Sequence, residues 1–302
     1  MQQEYYSNGK LLLSGEYAIL DGAKGLAVPT KFGQSLLVKP TEDAILSWTS
    51  IAINGETWFS AKLSLNDLNI IESSNTETAK TLQKILVEAK RGNPNFLNTE
   101  EGVHVNTKLS FPREWGLGTS STLINNIAQW ASIDAHQLLW NSFGGSGYDI
   151  SCAQHNTPIL YHIKKQLPQV EPVAFNPPFK DAIYFVYLNQ KQSSKKAIAN
   201  YRSKEFQLEK LIADVDAISL QMIDATELSL FENLLQTHEE LLSRVLEISP
   251  IKQKLFPDYF GAIKSLGGWG GDFIMVTGNE KTPEYFISKG FDTVIPFKEM
   301  VL

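Results

Sequence analysis

Apolar and polar positions follow two periods along the chain, and each change of period marks an element. Alternation with period two predicts strands over 35–39, 45–49 and 103–109, with 51–59 returning on its predecessor around Asn54-Gly55. Helical spacing takes over at 76–90, where Ala79, Leu82, Ile85, Leu86 and Ala89 share one face, and Gly92-Asn93-Pro94-Asn95 stops it. Leu123, Ile124, Ile127, Ala128 and Ala131 form a second such face, 134–140 reads as a short helix, and the polar stretch 66–76 reads as loop. A strand over 157–163 closes a first domain, 1–167, and four prolines within 168–178 read as the linker into a second, 168–302. There 182–188 is an apolar strand, and 206–222 is a long helix with Leu208, Leu211, Ile212, Val215 and Met222 inward. A helix over 228–246 follows, with His238 read as a packed histidine at the surface edge, then a strand at 273–276, a helix at 282–289 and an edge strand at 293–296.

Three glycine-rich segments interrupt this pattern. The first, Gly9-Lys10-Leu11-Leu12-Leu13-Ser14-Gly15-Glu16-Tyr17, is an apolar strand with a charge at each end and a glycine break. In the second, Gly116-Leu117-Gly118-Thr119-Ser120-Ser121 runs into the helical face that starts at Leu123. Glycines let a polyanion approach the peptide groups, hydroxyl residues suit a first helical turn, and a helix N-terminus attracts phosphate. No Lys follows these glycines, so this is not a Walker loop. The third is Lys264-Ser265-Leu266-Gly267-Gly268-Trp269-Gly270-Gly271-Asp272. Between the last two, Gly144-Gly145-Ser146-Gly147-Tyr148-Asp149 forces a sharp turn that presents Asp149. Read alone, Lys10 and Glu16 are the solvated flanks of a strand, and Asp149 is the cap of the next segment. The loop over 190–196, with Ser193, Ser194, Lys195 and Lys196, suits an anion or is an exposed polar turn.

Composition narrows the partners. At 302 residues with 43% hydrophobic and 20% charged residues, the chain is an ordinary globular protein with ample core. A net charge of −6, with 27 scattered basic residues, argues against a nucleic-acid partner. The single cysteine, Cys152, excludes an intrachain disulfide and reads as a small buried side chain. The N-terminus lacks the basic and apolar regions of a signal peptide, and no apolar run is long enough to span a bilayer, so a cytoplasmic protein is expected.

Pro112-x-x-x-Gly116-Leu117-Gly118-Thr119-Ser120-Ser121 resembles the nucleotide loop of the GHMP kinases, which act on galactose, homoserine, mevalonate and phosphomevalonate. That loop reads Pro-x-x-x-Gly-Leu-Gly-Ser-Ser-Ala, so Thr119 and Ser121 depart mildly. Gly9, Lys10, Gly15, Glu16 and Tyr17 match the first motif of the family, Gly-Lys-x-x-x-x-Gly-Glu-[His/Tyr]. Lys264, Gly267, Gly270, Gly271 and Asp272 match the third, Lys-x-x-Gly-Ala-Gly-Gly-Gly-[Asp/Cys], with Gly268 and Trp269 as departures. Gly145-Ser146-Gly147-Tyr148-Asp149 is similar to the segment that supplies the catalytic Asp of mevalonate and phosphomevalonate kinases.

The resemblance implies an α+β, two-domain GHMP kinase fold, with an N-terminal nucleotide-binding domain and a C-terminal ferredoxin-like one. It implies an ATP- and Mg²⁺-dependent kinase of a mevalonate-type substrate in isoprenoid precursor synthesis, working on a small molecule as a monomer or homodimer. Gly116, Leu117, Gly118, Thr119, Ser120 and Ser121 would cradle ATP, with Ser120 on the metal. Asp149 would be catalytic, with Lys10 holding it ionised. Glu16, Tyr17, Ser146, Ser194, Lys195, Gly267, Gly268 and Gly270 would meet the substrate. The Glu that completes the family's Mg²⁺ shell has no counterpart, since 119–143 contains no Glu and only one carboxylate, Asp134. Trp269 would set a bulky side chain where backbone lies close to the ligand. These two departures motivate the alternative of a catalytically degenerate binding protein; a third reading is the related diphosphomevalonate decarboxylase. The first and third motifs lean toward phosphomevalonate, whereas the absence of a Lys before Gly145-Ser146-Gly147 leans toward the unphosphorylated alcohol.

Overall fold

The computed structural model describes every residue except 100, 191–193 and 270, and only the backbone of residues 194 and 195. The chain forms two compact units, each drawn from several stretches of sequence. The first comprises Met1–Gly9, Phe32–Arg113 and Leu117–Gln154, and the second Lys10–Lys31, Glu114–Gly116 and His155–Leu302. Two early strands, β1 (Gln3–Leu12) and β2 (Gly25–Thr41), contribute residues to both.

In the first unit the latter part of β2 is followed by β3 (Ile45–Ile51), β4 (Thr57–Ser64), β5 (Ile70–Ser73), α1 (Thr76–Gly92) and β6 (Gly102–Leu109). Then come α2 (Thr119–Ala131), α3 (Ala135–Ser142) and α4 (Tyr148–Gln154). The strands lie in the order β5-β4-β3-β6-β2, with β3 and β6 parallel and the other pairs antiparallel. Alternation points Leu46, Trp48 and Ser50 inward from β3 and Phe59, Ala61 and Leu63 inward from β4, with Trp48 opposite Ala61. The apolar faces of α1 (Leu82, Ile85, Leu86) and α2 (Ile124, Ile127, Ala128) join the same core. Ser50, the polar member of the inward row, accepts from Trp48 Nε1 at 3.1 Å and Thr107 Oγ1 at 3.0 Å. Part of the expected loop over 66–76 is instead β5, paired through Lys62↔Glu72 and Ala61↔Ser73. None of its residues is buried, so no apolar period marks it in the sequence.

The second unit adds β7 (Ile159–Lys164), β8 (Leu167–Pro172), β9 (Ile183–Tyr187), α5 (Ser194–Arg202), α6 (Leu208–Asp224) and α7 (Leu228–Leu246). It continues with α8 (Ile251–Leu255), β10 (Ile263–Ser265), β11 (Phe273–Thr277), α9 (Thr282–Ser288), β12 (Val294–Pro296) and α10 (Phe297–Met300). Gly25–Ala27 of β2 pairs with β7, and β7 with β8. Residues 168–172, expected within the linker, thus belong to an edge strand, where a proline's missing N–H costs no ladder bond. The sheet order β10-β11-β9-β12, antiparallel throughout, with helices between β9 and β10 and between β11 and β12, is the ferredoxin-like arrangement. Val186, Phe256, Ile263, Ile274 and Phe286 fill one core of this unit, and α6 and α7 close another with Leu211, Val215, Leu242 and Leu246.

Candidate active site

Three of the glycine-rich segments meet within the second unit. Lys10, on β1, donates from Nζ to the carbonyl of Gly116 at 3.0 Å. Gly116 takes a φ of 69°, and the carboxylate of Asp272 stands where its side chain would be. A β-carbon at Gly116 would lie 2.7 Å from Asp272 Cγ and 2.9 Å from each carboxylate oxygen, so only glycine permits this approach. Asp272 is pinned through its peptide groups: its N–H donates to Gln190 O at 2.6 Å and its carbonyl accepts from Leu188 N–H at 2.8 Å. Lys10, Gly116 and Asp272 are all half-buried. Beside them Trp115 packs edge-on against Phe273 at 5.5 Å, and the Tyr187 hydroxyl donates to Glu114 O at 3.2 Å. Burial first, and then the negative charges of Asp272 and Glu114, push the Tyr187 hydroxyl pKa up.

Behind this point lies a buried ionic cluster in the same unit. Glu16 and Lys264 are 1% and 0% exposed and meet at 2.5 Å. Glu239 of α7 accepts from Ser265 N–H at 2.8 Å and from Ser265 Oγ at 2.7 Å. His238 Nε2 accepts from Gly15 N–H at 3.0 Å, which makes the imidazole neutral with its proton on Nδ1. The 3.4 Å approach of that nitrogen to Glu16 Oε2 is therefore not an ion pair. Burial raises the carboxyl pKa of Glu16 and of Glu239, opposed in both by Lys264, and burial then Lys264 lower that of His238 well below the ordinary imidazole value. Two expectations change here. Glu16, expected at the substrate, is turned inward onto Lys264, and His238, expected at the surface edge, is fully buried. The signal for His238 was present, because it lies four residues from both Leu234 and Leu242 on the apolar stripe of α7. Lys264 interrupts the apolar run Ala262-Ile263-Lys264-Ser265-Leu266, which marks it as a buried charge needing a partner.

Tyr17 and Trp269 are also interior. Tyr17 has a φ of 62° and stacks on Tyr201 at 5.4 Å, and the Tyr201 hydroxyl donates to Asp21 Oδ2 at 2.7 Å. Trp269, with a φ of 48°, is 4% exposed and belongs to the same apolar cluster. The left-handed backbone sends the indole into the core, so the bulk expected against the ligand is absent there. Tyr17, expected at the substrate, is a packing residue for the same reason. Gly267 and Gly268 are half-buried, whereas Gly270 lies outside the described residues. Ser194 and Lys195 open α5, and their side chains lie outside them too. A cavity of about 300 Å³ lined by Asp21, Tyr201, Arg202 and Phe206 does not include Lys10, Gly116 or Asp272.

The first unit holds the rest of the expected machinery. Gly118, at a φ of 97°, caps α2 with no side-chain hydrogen bond, which leaves the first-turn N–H groups of the helix open to an anion. Ser121 Oγ donates back to Gly118 O at 2.9 Å and is buried, so the outward hydroxyls are those of half-buried Thr119 and exposed Ser120. Asp149 sits in the first turn of α4 after left-handed Gly144, Gly145 and Gly147, half-buried, with Oδ1 accepting from Ile150 N–H at 3.1 Å. Ser146, ahead of it, is buried. A polar ladder not foreseen from the sequence, buried except at Gln154, joins the two helices. Gln154 Nε2 donates to Asn125 Oδ1 at 3.0 Å, Asn125 Nδ2 to Ser7 Oγ at 2.8 Å, Ser7 Oγ to Asn126 Oδ1 at 2.7 Å, and Asn126 Nδ2 to Gln34 O at 2.9 Å. Asp134, the carboxylate between loop and Asp149, caps α3 by accepting from Gln137 N–H at 2.8 Å.

Among the described residues no group of three or more His, Cys, Asp or Glu could hold a metal ion unaided. The uncapped N-terminus of α2 fits a polyphosphate, which would carry a divalent cation on oxygens of its own.

No family model and no curated protein matches the chain. Solved structures do match. A mevalonate kinase from Methanococcus jannaschii superposes with a TM-score of 0.73 at 16% identity, over 98% of this chain and 97% of its own. A Streptococcus pneumoniae phosphomevalonate kinase in complex with phosphomevalonate and AMPPNP gives 0.67 at 14% identity, over 95% of each chain. A Lactococcus lactis galactokinase complexed with galactose gives 0.66 at 13% identity, over 95% of this chain and 88% of its own. All three are GHMP kinases, and the chain has their fold from end to end.

Proposed function

We propose that this chain is an ATP-dependent kinase that phosphorylates mevalonate or phosphomevalonate in isoprenoid precursor synthesis. The observation that carries the reading is the meeting of Lys10, Gly116 and Asp272, three motif residues far apart in sequence. Shared fold with kinases of small alcohols supports the same class of chemistry, though the fold alone names no substrate.

Phosphoryl transfer asks a protein for positioning and charge neutralisation more than for covalent help. ATP, when bound, supplies the phosphoryl group, and Mg²⁺ offsets its charge. The N-terminus of α2 and the hydroxyls of Thr119 and Ser120 bind and orient the phosphates. Lys10, fixed on the Gly116 carbonyl, adds positive charge at the loop. Asp149 takes the proton of the substrate hydroxyl at a carboxylate oxygen, from a helix held against α2 by the Gln154–Asn125 bond. With Trp269 turned inward, one motive for a degenerate binding protein falls away.

A coupled assay of ADP release across mevalonate, phosphomevalonate, galactose and homoserine tests the reading. Turnover is expected with one of the first two. ATP binding without ADP release on any of the four would favour a nucleotide-binding protein that has lost catalysis.

A further inference from the structure

We infer that His136 and Trp140 of α3 are positioning residues that clamp the turn carrying Asp149 on both sides of its carboxylate. The inference rests on the kinase reading and deepens it. Asp149 follows glycines at left-handed φ, 80° at Gly144, 104° at Gly145 and 86° at Gly147. A β-carbon at Gly144 or Gly145 would meet nothing within 4 Å, so no neighbour packs against that side of the turn. Glycine has the most conformational freedom to lose, so such a turn keeps one shape only where polar groups fix it. Asp149 Oδ1 accepts from Ile150 N–H, its own neighbour in the chain, so the carboxylate goes where the turn goes. The fixed points come from α3. His136 and Trp140 stand one helical turn apart on the same face, and their rings pack at 5.7 Å. Ahead of Asp149, Trp140 Nε1 donates to Gly145 O at 3.2 Å. Behind it, His136 Nε2 and Ser151 Oγ share a hydrogen bond at 3.0 Å, whose donor follows the imidazole tautomer. His136 and Ser151 are both buried, where a polar contact is stronger than in water. The helix that makes these bonds is itself anchored, since Trp140 packs on the core of the unit and Asp134 caps the first turn. The Gln154–Asn125 bond secures the far end of α4, and the clamp secures the near one. A general base works only within hydrogen-bond reach of the proton it takes, and a displacement of about 1 Å can cost about a hundredfold in rate.

Trp140→Phe keeps the ring against His136 and removes the donor to Gly145 O, while Ser151→Ala and His136→Phe break the other bond from its two sides. Each variant, alone and combined with Asp149→Asn, is assayed as the full chain for ADP release with ATP and mevalonate or phosphomevalonate. Hydrogen exchange follows the amides over 143–151 in the same proteins. Trp140→Phe and Ser151→Ala should each lower kcat by at least about tenfold, while the acceptor KM and ATP affinity change by less than about twofold. In the Asp149→Asn background the same substitutions should cost less than about twofold, because a clamp acts through the base it holds. Exchange over 143–151 should rise by at least about tenfold in both variants, with that of β3 and β6 unchanged. His136→Phe should match Ser151→Ala; if it does not fold, the other two variants decide. Unchanged kcat in Trp140→Phe and Ser151→Ala, or losses of one size with and without the Asp149 carboxylate, would overturn the inference. A wild type that turns over neither acceptor would overturn the kinase reading. Faster exchange over 143–151 in the variants would then still uphold the clamp, and unchanged exchange would overturn it too.

Discussion

Lys264 carries a charge on a side chain with no exposed surface, and its partner Glu16 is almost as deeply buried. Two desolvated charges are tolerable because each has the other, and Lys264 also donates to Ser265 O at 3.0 Å. Removing one leaves the other uncompensated, so Glu16→Gln and Lys264→Met alone should each cost about 3–5 kcal/mol in urea unfolding. The double variant should recover much of that loss, because contacting residues are not additive. Losses that simply add would show that the pair is not the unit of stability. At this scale the sequence was half legible. Glycine spacing singled out Glu16 and Lys264, yet nothing in it joins residues 248 positions apart, and Glu16 looked like a residue for substrate. Trp269 misled for a related reason: a residue type shows bulk, and only the backbone φ shows which way the bulk points.

The elements that bury an apolar face were the readable ones. The hairpin of β3 and β4, α1, α2 and the two long helices α6 and α7 follow their periods, and each faces a core. The edge strands β5 and β8 were not readable, because one has no buried residue and the other begins and ends among prolines. The start of α2 is an element whose chemistry can be tested directly. If its uncapped N–H groups bind phosphate, Gly118→Val should weaken ATP binding by well over about tenfold, since a β-branched residue resists a φ of 97°. Calorimetry on the folded variant reads this, and an unchanged affinity would remove the loop from the nucleotide site.

Taken whole, the chain joins an α+β unit that carries the α2 loop and Asp149 to a unit with a ferredoxin-like sheet that carries Lys10, Gly116 and Asp272. That fold was legible from three motifs in the right order, because each motif is a turn that holds at least one glycine at a left-handed φ: Gly15, Gly116 with Gly118, and Gly267. The substrate was not, because the first and third motifs point to one substrate while the segment before Gly145 points to the other. The central claim is that this protein moves a phosphoryl group from ATP to a mevalonate-type hydroxyl with Asp149 as the base. It is tested most directly by incubating wild type and Asp149→Asn with ATP, Mg²⁺ and either mevalonate or phosphomevalonate, and weighing the acceptor by mass spectrometry. The account predicts one added phosphoryl group on one of the two with the wild type, and a loss of at least about a hundredfold in rate with Asp149→Asn at unchanged ATP affinity. An acceptor phosphorylated as fast by Asp149→Asn as by the wild type, or by neither, would contradict it.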